Sequence, residues 1–131
     1  MDNQLFNDAR KFFDSFCLAM KVGEIPTIMT HYLQGEETVQ ILSNGQIIVG
    51  YEQIEKEYGL FLDEVELLDF QVPTFKCIPI NDDILMVLQL NGMARVRRSR
   101  VKLPYRGTGA IIIRKIGDDF KMLYEHFTLK D

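Results

Sequence analysis

RGTGAIIIRKIGDDFKMLYEHFTL, residues 106–129, decides the fold. Two strand-forming runs rich in isoleucine, phenylalanine and tyrosine flank the polar turn Gly117-Asp118-Asp119, the pattern of a long antiparallel hairpin. Side chains alternate faces along a strand, so period-2 spacing puts Phe120, Met122, Tyr124, His126 and Thr128 on one face. If that face looks into the body of the protein, a tyrosine, a histidine and a threonine enter an otherwise apolar interior.

Upstream, further strands read as Val65–Ile80, Ile84–Arg98 and Gly107–Ile116, with Asn81-Asp82-Asp83 as another hairpin connection and Phe120–Leu129 closing an antiparallel meander. Pro73 cannot donate to a ladder and marks an edge or a bulge. Ile84 to Leu88 and Ala110 to Ile113 are apolar on both faces, which helices covering one side alone do not require. A second copy packed sheet to sheet is the simplest cover, so a homodimer through the sheet is expected.

The first half is helical. Leu5, Phe6, Ala9, Phe12, Phe13, Phe16, Cys17 and Met20 recur at helical spacing and predict a helix over 3–22, capped by Asp2 or Asn3 and ended by Gly23. Pro26 suits the first turn of a second helix carrying Ile25, Ile28, Met29, Tyr32 and Leu33 inward, closed by Gly35. Thr38–Leu42 and Gln46–Val49 flank Asn44-Gly45, which predicts a hairpin with a type I′ turn. A third helix follows over Tyr51–Asp63, with Tyr51, Ile54, Tyr58, Phe61 and Leu62 inward. The class is therefore α+β, in one domain spanning 1–131: 47% hydrophobic and 26% charged residues suit a single core.

Composition excludes several chemistries. Cys17 and Cys77 show no metal-ligand or disulfide spacing and read as small buried hydrophobes, and His31, off the helical stripe, reads as exposed. Two histidines on separate elements make no metal site, and no cofactor motif is present. The opening residues lack a secretory pattern and no run is long enough to span a membrane, so a cytoplasmic setting is the expectation. A net charge of −4 does not favour nucleic acid. The charge is bipolar: Arg95 to Arg106 holds six basic residues and no acid.

His126 is the leading site candidate, as a general base or a hydrogen-bonding group near neutral pH, with Tyr124 as donor and Thr128 beside it. Tyr32 and Tyr58 lie on inward stripes, where packing competes with a ligand-binding role for their hydroxyls. Arg95, deepest of the basic strand residues, is the candidate for holding an anionic group, against a solvated edge as the plainer alternative.

The order helix, helix, hairpin, helix, then meandering strands resembles the nuclear transport factor 2-like superfamily. THYLQGEETVQILSNGQIIVG and GYEQIEKEYGLF are similar to that family's entry to the hairpin and its third helix, and IIIRKIGDDFKMLYEHFTL resembles the ending of its SnoaL-like branch. The resemblance implies a cone-shaped, cystatin-like fold, three N-terminal helices packed in a curved mixed or antiparallel sheet. It implies an apolar pocket for a small apolar or anionic molecule and, if the protein is an enzyme, cofactor-free proton-transfer chemistry of isomerase, cyclase or dehydratase type. The alternative it implies is a non-enzymatic dimerisation or protein-interaction module. Isomerase-like chemistry requires a pocket carboxylate, and the alternation assigns none.

Overall fold

The computed structural model describes residues 2–130. Helix α1 spans Asn3–Val22, as its caps dictate: the Asp2 carboxylate accepts from the Gln4 amide at 2.8 Å, and Gly23 ends it in the left-handed region. Its buried stripe is Ala9, Phe13, Phe16, Ala19 and Met20. Helix α2, Ile25–Met29, is shorter than its apolar spacing predicts. Tyr32 lies beyond it in a parallel bridge with Met122, where the Leu33 amide donates to the Met122 carbonyl and the Met122 amide to the His31 carbonyl, each at 2.8 Å. The sheet has taken over backbone groups that a longer helix would have paired.

Strands β1, Val39–Ile41, and β2, Ile47–Val49, form the expected hairpin with a different turn. Gly45 alone of Asn44-Gly45 has positive φ, and the Asn44 side chain instead accepts the Gln46 amide at 2.9 Å, a local bond that replaces the type I′ geometry. Helix α3, Tyr51–Glu64, runs straight through Gly59.

Four long strands complete the chain: β3, Val65–Ile80; β4, Asp83–Val96; β5, Lys102–Ile116; β6, Asp119–Leu129. The sheet order is β2-β1-β6-β5-β4-β3, antiparallel except where β1 runs parallel to β6. Pro73 sits on edge strand β3 at a register shift between Gln71 and Thr74. Strand β5 begins five residues before the predicted Gly107, so the basic stretch is the end of the β4–β5 hairpin. There the Arg97 Nε donates to the Leu62 carbonyl at 2.8 Å, capping the end of α3.

One row crosses all six strands: Ile48, Gln40, Glu125, Ile111, Met86 and Cys77 are register partners in turn. The first five are buried against the helices, and Cys77 is half-buried. The row passes through Glu125, not Tyr124, because β6 is bulged. Ile113 pairs with Met122 and Ile112 with Tyr124, leaving Leu123 as an extra residue. Phe120 and Met122 face inward as alternation predicts; beyond the bulge the inward positions become Glu125 and Phe127. Tyr124, His126 and Thr128 pass to the outer face. That face is apolar at its centre, where Val49, Val39, Tyr124, Ile112, Leu85 and Ile78 form the neighbouring row, with Val49 51% and Ile78 48% exposed.

Close approach of β5 and β6 requires glycine: a Cβ on Gly107 would lie 1.9 Å from the Thr128 carbonyl oxygen, and Thr128 belongs to backbone that cannot yield as a flexible side chain does. Gly107→Ala is expected to cost about 1–3 kcal/mol, read as a lower urea midpoint with an unchanged slope.

Candidate functional site

Between the helices and the inner face of the sheet lies a cavity of about 360 Å³. Aromatic rings enter its wall from five elements: Phe13 and Phe16 from α1, Tyr58 and Phe61 from α3, Phe70 from β3, Tyr105 from β5 and Phe127 from β6. Tyr105 stacks on Phe127 with centroids 5.7 Å apart and meets Phe70 edge-on at 6.2 Å. Ser43, in the β1–β2 turn, fastens the rim by donating to the Phe127 carbonyl and accepting from the Leu129 amide, both at 2.9 Å.

Glu125 is the one carboxylate carried into this wall by the sheet, and it is 8% exposed. Its Oε1 accepts the Tyr32 hydroxyl at 2.5 Å and the Gln40 Nε2 at 2.9 Å. Tyr32 Oη lies 2.5 Å from Tyr58 Oη; since the Tyr32 proton is committed to Glu125, Tyr58 donates to Tyr32. Among the described residues no hydrogen bond reaches Glu125 Oε2, which is left to the cavity, and the buried Gln40 Oε1 has no partner. Burial raises the Glu125 pKa, and Tyr32, Gln40 and the nearby Tyr58 hydroxyl offset this only in part. Burial and then the Glu125 charge raise Tyr32, Tyr58 and Tyr105, so all three stay protonated donors. The Tyr105 hydroxyl borders the cavity with no hydrogen-bond partner among the described residues. Cys17, also in the wall, is pushed up to about 12 by burial and by Asp14, so it is a thiol and not a nucleophile.

The predicted residues fall into two groups. Tyr32 and Tyr58, from separate elements, are brought together on Glu125. His126 borders the cavity, but alternation from Glu125 turns its ring to the outer face, where Nε2 lies 3.4 Å from Thr128 Oγ1; Tyr124 shares that face. Arg95 does not line the cavity: its guanidinium holds the Glu66 carboxylate at 3.2 Å across β3 and β4. His31, expected to be exposed, is buried between the rings of Phe12 and Phe16. Its Nδ1–H donates to the Thr27 and Ile28 carbonyls at 3.0 and 3.2 Å, leaving Nε2 to accept the Ser15 hydroxyl at 2.9 Å. Alternation missed Glu125 and Gln40. The signal was the apolar phase, which switches from Phe120 and Met122 to Phe127 and Leu129.

No family model and no curated protein matches the sequence. Solved structures do. A ketosteroid isomerase-like protein from Erwinia carotovora atroseptica superposes with a TM-score of 0.83 at 14% identity, over 99% of each chain. A nuclear transport factor 2-like superfamily protein from Salmonella enterica gives 0.87 at 11% identity, over 98% of this chain and 92% of its own. A candidate calcium/calmodulin-dependent protein kinase II association domain from Xanthomonas campestris gives 0.77 at 13% identity, over 93% and 85%. The chain therefore has the nuclear transport factor 2-like fold.

Two buried groups give stability opposite pH dependences. Glu125 holds its proton above the ordinary value of 4.5, so the unfolded chain binds fewer protons there and stability falls as pH rises from 4.5 toward the raised pKa. The His31 pKa is lowered from 6.5 by burial, so stability falls as pH drops below 6.5 toward that lowered value. Glu125→Gln is expected to remove the first trend and leave the second, with urea midpoints that only rise from about pH 5 to about pH 8. A midpoint that still declines with rising pH in the variant would contradict the assignment.

Proposed function

We propose that the protein binds a small, largely apolar molecule in the cavity and moves a proton on it, with Glu125 as the general base and acid. One observation carries this reading: a buried carboxyl held through Oε1 by two donors, with Oε2 facing an aromatic cavity. A carboxyl with a raised pKa is suited to accept a proton from carbon and return it at another position, the step common to isomerisation and dehydration. Tyr32 and Gln40 fix its orientation. Tyr105, whose hydroxyl has no hydrogen-bond partner among the described residues, is the donor available to an oxyanion developing across the cavity. The Erwinia protein's description as ketosteroid isomerase-like agrees with chemistry of this class; a SnoaL-like assignment rests on the IIIRKIGDDFKMLYEHFTL stretch. Glu125 takes the role that the sequence pattern offers to His126 and Tyr124, because the bulge puts Glu125 on the cavity side.

Exchange of the protons beside the carbonyl of small cyclic ketones, followed by NMR in deuterated water, tests this. The protein is expected to accelerate exchange, and Glu125→Gln to lower it by about 10²–10⁴-fold, with His126→Ala close to the parent. Exchange at the buffer rate, or exchange indifferent to Glu125→Gln, would sink the proposal.

The apolar outer face supports a second, compatible reading, a homodimer packed sheet to sheet. Ile47, Val49, Ile78 and Val87 are exposed there around half-buried Ile112 and Tyr124. The likeness to an association domain agrees with assembly through this fold. Val87→Asp combined with Ile112→Asp is expected to turn a sedimenting dimer into a monomer; a parent protein that sediments as a monomer at micromolar concentration removes this reading.

A further inference from the structure

We propose that the cavity selects a cationic ligand, a protonated amine on a one- or two-ring apolar body, seated with its ammonium against Glu125 Oε2. The inference names the ligand class for the cavity read above as a binding site, and it stands whether or not Glu125 moves a proton. It begins with the charge inventory. The described residues of the wall include two carboxylates, Glu125 inside and Glu57 on α3, and neither lysine nor arginine. The basic stretch makes no contribution: Arg95 is held by Glu66 and Arg97 by the Leu62 carbonyl. An anionic ligand would set a second negative charge beside a buried carboxylate with nothing to neutralise either.

The remaining geometry favours a cation over a neutral ligand. Among the described residues Glu125 receives hydrogen bonds only at Oε1, from the neutral donors Tyr32 and Gln40, and neither of them supplies the counter-charge that buried carboxylates ordinarily have. An ammonium supplies that charge and donates to Oε2. Phe16, Tyr58, Phe61, Tyr105 and Phe127 bring aromatic rings to the same wall, and the π-face of such a ring attracts a desolvated cation. A volume of about 360 Å³ lies at the small end of the range for small-molecule sites and limits the body to one or two rings.

Matched ligands test the charge alone. 2-Phenylethylamine, 2-phenylethanol and phenylacetate, and the same three head groups on a naphthalene body, are titrated calorimetrically into the full chain at about pH 7.5. On at least one body the amine is expected to bind about tenfold or more tighter than the alcohol, and the carboxylate weakest. Glu125→Gln is expected to erase the amine's advantage while leaving alcohol affinity within about threefold. A carboxylate that binds as well as its amine, equal affinities throughout, no saturable amine binding on either body, or an amine preference that survives Glu125→Gln would each overturn the inference. Absence of an amine preference in the parent protein, with Glu125-dependent proton exchange present, removes this inference and leaves the proposed function standing. An amine preference without exchange does the reverse.

Discussion

Glu125 can occupy the inner face of the sheet only because β6 carries one residue more than β5 between its pairings at Met122 and Tyr124. The extra residue, Leu123, shifts the alternation by one step, and everything chemical about the interior follows from that step. With a regular strand the row from Ile48 to Cys77 would have carried Tyr124 beside Gln40, and the cavity would hold no carboxylate from the sheet. With the bulge, Gln40 and Glu125 become register partners on parallel strands and share a hydrogen bond.

A buried carboxylate is costly unless its bonds are met, and here those at Oε1 are met by parts of the chain distant from one another. Tyr32 comes from the bridge after α2, Gln40 from β1, and Tyr58, from α3, supports Tyr32. The same contacts that hold the carboxyl in place also tie three N-terminal elements to the last strand. Their incompleteness is what the proposed function uses: among the described residues, one carboxylate oxygen and one tyrosine hydroxyl in the cavity wall have no hydrogen-bond partner.

The bulge shapes the outer face as well. It places Tyr124 and His126 among Val39, Ile41, Ala110 and Ile112, on the surface where a second copy would pack. The basic hairpin, conspicuous in composition, does mechanical work at one end of the sheet by pairing with Glu66 and capping α3. None of its basic side chains lines the cavity, so the carboxyl of Glu125 meets no cationic residue there among the described residues.

Most of the architecture was legible in the sequence because it rests on local signals. Asp2 and Gly23 delimit α1, Pro73 marks an irregular edge, polar dipeptides turn the hairpins, and runs apolar on both faces announce a sheet with two surfaces to cover. The inward placement of Tyr32 and Tyr58 was legible in their helical spacing, although Tyr32 is delivered by a bridge to Met122 and not by α2. What the sequence by itself determined was the order of elements and the set of residues available to each face. Which polar residue on the last strand faces the cavity was decided by tertiary structure alone. Period-2 reasoning assumes an unbroken ladder, and a bulge is a property of how β6 pairs with β5, so the choice of glutamate over histidine was settled only when the two strands met.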